Sequence, residues 1–69
     1  MNFNLKALNL HIVFIQGREM NFKISPDEVP YILVSVKADN DFLKVKLLGD
    51  TIHIVTINKS QILYYEIKE

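Results

Sequence analysis

The chain has 69 residues, 49% of them hydrophobic, with eight basic residues balancing eight acidic ones and no cysteine. A chain this short buries only about 60% of the surface its unfolded form exposes. Without cysteine, the disulfides, thiolate zinc sites and thiol nucleophiles that small domains often rely on are excluded. Balanced charge sets up no overall field toward phosphate backbones or anionic lipid.

The hydrophobic fraction lies near the top of the usual globular range of about 45–50%, in a chain too small to bury all of it. A surface facing a second copy or another protein is the simplest outlet for the surplus. Asn2, Asn4 and Lys6 alternate with Phe3 and Leu5, which is not the charged-then-apolar layout of a signal peptide. Apolar runs such as Ile12 to Ile15 fall far short of the roughly 20 residues that span a bilayer. These features predict a cytoplasmic protein with no membrane partner.

Most of the chain reads with the period of two that marks a strand with one face on a core. In residues 8–16, Leu8, Leu10, Ile12 and Phe14 share one face, while Val13 and Ile15 make both faces apolar toward the far end. That predicts a strand buried on both sides there. Gly17 supplies a turn, and Met20, Phe22 and Ile24 form the inward face of a second strand.

Ser25-Pro26-Asp27-Glu28 has the form of a helix start, with a capping serine, proline in the first helical position and glutamate three residues after the serine. Two continuations follow from the residues. Val29, Ile32, Leu33 and Val36 have amphipathic helical spacing, yet Pro30 and the β-favouring residues 31–36 argue for a short helical turn followed by a strand. The strand is the preferred expectation.

Ala38-Asp39-Asn40-Asp41 is a polar turn. Residues 42–48 alternate Leu43, Val45 and Leu47 against Lys44 and Lys46, and Gly49-Asp50 signals a hairpin to a strand over residues 51–57. Asn58-Lys59-Ser60 interrupts the chain before a last strand over residues 61–67. A weak internal echo supports the strand at 29–36. Residues 24–31 and 57–64 share the order isoleucine, small polar residue, three polar or proline residues, β-branched aliphatic, any residue, tyrosine, and each follows a glycine hairpin.

The expected fold is therefore all-β: one domain over residues 1–69, a small antiparallel sheet or partly closed barrel of five to six short strands with one helical turn near Pro26. The alternative is an α+β domain of two strands, a helix over residues 27–37 and three strands.

His11 and His53 both sit at polar-face positions, but a zinc site needs three or four ligands, and two solvent-facing histidines are the expected reading. Asp39-Asn40-Asp41 offers hard oxygen ligands without the glycine and distal glutamate of a calcium loop, so a plain turn is expected. Asp27 and Glu28 fit capping groups better than an acid–base pair.

Ser25, Ser35 and Ser60 lack an activating neighbour, and the two glycines, Gly17 and Gly49, make no phosphate loop. No enzyme activity, cofactor or metal is expected.

Lys23, Lys44 and Lys46, with Tyr31 and Tyr64, form the nearest approach to a nucleic-acid surface. Lysines on outer strand faces also serve solubility and discourage edge pairing, and Asp41 and Asp50 flank this strip. The last strand alternates Leu63, Tyr65 and Ile67 against Ile62, Tyr64 and Glu66. Leu63, Tyr64, Tyr65 and Ile67 are the candidate interface if that strand lies at an edge open to another chain; the alternative is an internal strand covered on both sides.

The hairpin at Gly17 and the segment 57–62 resemble the two signature segments of Sm-like small barrels, ring-forming RNA-binding proteins. The characteristic basic residue and glycine of that family would fall on Asn58 and Lys59, so neither is kept and no RNA-contacting role transfers.

The function expected from the sequence is a non-enzymatic interaction or assembly module, meeting itself or another protein through apolar strand surface. Its size matches small accessory or inhibitor proteins of phages and mobile elements. The alternative is a small-barrel nucleic-acid binder using the lysine strip.

Overall fold

The computed structural model describes residues 6–69. The alternation of Asn2, Phe3, Asn4 and Leu5 lies outside them. Two strands, β1 (Leu8–Phe14) and β2 (Glu19–Ile24), form a hairpin closed at Gly17. Gly17 has a φ of 90°, a conformation glycine reaches without a Cβ clash, and its N–H donates to the Phe14 carbonyl at 2.8 Å.

A 3-10 turn (Pro26–Glu28) leads into α1 (Val29–Lys37), followed by β3 (Phe42–Leu47) and β4 (His53–Asn58). A second 3-10 turn (Lys59–Gln61) precedes β5 (Ile62–Lys68). The strands make two antiparallel sheets, one ordered β2-β1-β5 and one of β3 and β4. Beyond the end of β3, the Leu48 N–H donates to the Lys23 carbonyl of β2 at 2.8 Å and joins the two sheets. Through this link the strands follow the order β4-β3, then β2-β1-β5, and among the described residues β4 pairs only with β3 and β5 only with β1.

The antiparallel, strand-rich architecture agrees with the sequence, in the element order of the α+β version. The expected strand at 29–36 is corrected: those residues are α1. Ser25 Oγ accepts the Asp27 N–H at 3.3 Å, Pro26 opens the 3-10 turn, and Pro30 falls in the first turn of α1, where its missing N–H has no partner to lose.

Val29, Ile32 and Val36 face the core, with Ile32 completely buried. Burying one such side chain is worth about 1.5–3 kcal/mol. The helix-propensity deficit of a β-branched residue is only a few tenths of that scale, so tertiary packing decides the segment. Leu33, assigned to the apolar stripe by its spacing, is instead exposed, as are Tyr31 and Val34.

The internal echo holds for its first half and then fails. Ile24 and Ile57 are both buried, and each is followed by a capped 3-10 turn, with Asn58 Oδ1 accepting the Ser60 N–H as Ser25 Oγ accepts that of Asp27. Residues 29–37 then form a helix where 62–68 form a strand.

The core comprises Leu10 and Ile12 of β1, Phe22 and Ile24 of β2, Ile32 of α1, Leu43 and Val45 of β3 and Ile57 of β4. Two expected core residues are exposed. Ile15 lies past the end of β1, where its N–H reaches the Gln61 carbonyl at 2.9 Å, and Met20 sits near the start of β2 beside the turn.

Candidate interaction surface

The pairing of β5 with β1 determines which of its side chains are available. Leu10 faces Ile67, Ile12 faces Tyr65 and Val13 faces Tyr64, but Phe14 then faces Ile62. Leu63 is therefore the extra residue of a β-bulge, and the alternation reverses across it. Ile62, Tyr65 and Ile67 pack against the core while Leu63 is pushed out, 63% exposed.

The four candidate interface residues therefore divide. Leu63 and Tyr64 are exposed, whereas Tyr65 and Ile67 pack against the core. A shallow groove of about 270 Å³ runs beside the bulge, lined by Val36, Lys59 and residues 62–65. Lys59 closes its helical end: its Nζ donates to the carbonyls of Ser35 and Ala38 at 2.8 and 2.7 Å, where the last carbonyls of α1 run short of backbone donors, Ser35 also accepting the Ala38 N–H at 3.3 Å.

The outer face of β2-β1-β5 carries a polar cluster that spacing alone does not reveal. His11 Nε2 lies 2.8 Å from Glu19 Oε1, and the Tyr64 ring stands edge-on to the imidazole with centroids 6.4 Å apart. Glu66 faces His11 across the β1–β5 pair and is bonded to Lys68 at 2.8 Å. The Lys68 hydrogen bond and charge, with a smaller contribution from His11, hold the Glu66 carboxyl below its ordinary range, and Glu66 raises Lys68 in return.

Only the cross-strand register brings Glu19 to His11, since they are eight residues apart on opposite arms of a hairpin. His53 lies at the start of β4 in the other sheet, so the two histidines do not meet. No group of three metal-ligating side chains occurs among the described residues.

The remaining candidates have local structural contacts. Glu28 Oε1 accepts the Lys46 N–H at 3.4 Å, and the Asp41 carbonyl accepts the Lys59 N–H at 2.9 Å. Ser60 Oγ donates to Asn58 Oδ1 at 2.9 Å.

The lysine strip is shorter than its sequence spacing suggests. Lys44 and Lys46 share a groove of about 290 Å³ with Tyr31, Ser35, Glu28 and Ile54. Lys23 does not line that groove; it pairs with Asn9 in β2, and its carbonyl accepts the Leu48 N–H just beyond β3.

The chain matches no protein-family model, and neither curated proteins nor solved structures give a significant match. The likeness to Sm-like barrels rests on its two short segments alone.

Proposed function

We propose that this protein is a non-enzymatic interaction module that meets another polypeptide through its exposed strand surface. The observation carrying this reading is the apolar surface left by folding. Leu63, Tyr64, Ile54, Ile52, Phe42 and Tyr31 all remain exposed although each is large enough to serve in a core. Most lie on or beside β4 and β5, at the two ends of the strand path.

Large apolar groups on a small fold are most useful where a partner covers them. A cytoplasmic setting and an accessory or inhibitory role belong to the same reading. Light scattering across a concentration series, with an apolar dye as reporter, tests it. Association or strong dye binding is expected, and a monomer that leaves the dye dark overturns the reading.

A second reading has its own observation. Tyr31, 69% exposed, borders the same groove as Lys44 and Lys46, and an aromatic face beside two cations suits a stacked base and its phosphate. Salt-sensitive oligonucleotide binding that weakens in Lys44→Glu and Lys46→Glu supports it. No binding at low salt ends it.

A further inference from the structure

The two end strands differ as docking edges. Besides its bulge, β5 carries Glu66 and Lys68, and bulges and charges are the devices that keep an edge from pairing. By contrast, β4 (His53–Asn58) contains no Lys, Arg, Asp or Glu and is rich in β-branched residues. Its register with β3 runs without a shift, and no other strand pairs with it among the described residues. It is the less protected edge.

Residues 55–58 of β4 also form one wall of a groove of about 360 Å³. The rest of the lining comes from the β1–β2 hairpin and Gln61: Phe14 and Met20 supply apolar surface, Arg18 supplies a charge, and Gln16 Nε2 donates to Gln61 Oε1 at 3.1 Å. Arg18 is, among the described residues, the one charged residue lining the groove. Among the described residues it enters no ion pair, since the carboxylate contacts there belong to His11 and Lys68.

We propose that this groove receives an extended segment of a partner protein, paired through its main chain with β4 and placing a carboxylate against Arg18. The inference rests on the interaction-module reading and gives it a site and a partner chemistry. Strand addition supplies sequence-independent main-chain bonds, while selectivity comes from the side-chain sites beside the edge. Phe14 and Met20 favour an apolar side chain, and a guanidinium favours a carboxylate, which it binds with two parallel hydrogen bonds.

In a β4-to-β4 pairing with a second copy, β4 itself has no carboxylate to offer Arg18. A nucleic-acid strand would find one cation where several are needed to follow its phosphates.

The test is selection from a random decapeptide library on the wild type and on Arg18→Gln, followed by an amide NMR titration with one enriched peptide. Enriched peptides are expected to share an aspartate or glutamate and to bind Arg18→Gln about tenfold or more weakly, the scale of a lost charge-assisted bond. Amide shifts are expected at residues 55–58. Enrichment without an acidic residue, equal binding to Arg18→Gln, or no enrichment overturns the proposal. Shifts confined to residues 62–67 also overturn it while leaving the interaction-module reading intact, and concentration-dependent shifts at β4 without peptide assign the edge to a second copy instead.

Discussion

Lys59 places its ammonium 2.8 Å from the Ser35 carbonyl oxygen, so the corner before β5 caps the end of α1 across 24 residues of sequence. The same ammonium bonds the Ala38 carbonyl. Lys59→Met keeps most of the side-chain bulk and leaves both carbonyls without this donor. The expected loss is about 1–2 kcal/mol in urea denaturation, whereas Lys37→Met, in the last turn of the same helix but without such bonds, is expected to change stability by less than about 0.5 kcal/mol.

The identity of α1 is tested by two substitutions on its opposite faces. Ile32→Ala, at a completely buried position, is expected to cost about 2–5 kcal/mol. Val34→Ala, at an exposed one, is expected to stay within about 0.5 kcal/mol. A strand over these residues would place both side chains on the same face, and the two losses would then be similar.

The bulge in β5 makes a parallel prediction. Tyr65→Ala removes a side chain packed on the core and is expected to cost about 2–4 kcal/mol. Leu63→Ala, at the extruded residue, is expected to leave the denaturation midpoint nearly unchanged. Similar losses at both positions would restore simple alternation along the strand.

These contrasts also mark what the sequence made legible. Leu10 and Ile12 in β1, and Leu43 and Val45 in β3, were readable as core because a half-buried strand repeats every second residue. Residues 29–37 were ambiguous because Tyr31, Ile32, Val34 and Val36 favour strands locally, and the contact between α1 and β3 decides their conformation.

The site was less legible than the fold. Nothing near Leu63 announces the bulge, which exists only in the pairing with Val13 and Phe14. The contact of His11 with Glu19 depends on which strands become neighbours.

Glu66 gives the pH prediction. Its carboxyl is held below the ordinary range by Lys68, so the pair's contribution is present above the unfolded carboxylate pKa and is lost as pH falls through the lower folded value. Lys68, raised by the same contact, loses that contribution as pH climbs through its raised folded value. Both groups are solvent-exposed, so salt screens the pair. Glu66→Gln is expected to melt slightly below the wild type at neutral pH and low salt, and the difference is expected to vanish in acid and at roughly 1 M salt.

The central claim, that exposed strand surface is where this protein meets a polypeptide, is tested most directly by light scattering and apolar-dye fluorescence on the wild type beside Ile54→Lys/Leu63→Lys. Both positions are exposed, so the double variant is expected to remain folded while dye binding and any association fall together. A wild type that is monomeric and dye-silent, or a folded double variant that associates and binds dye as strongly as the wild type, contradicts the account.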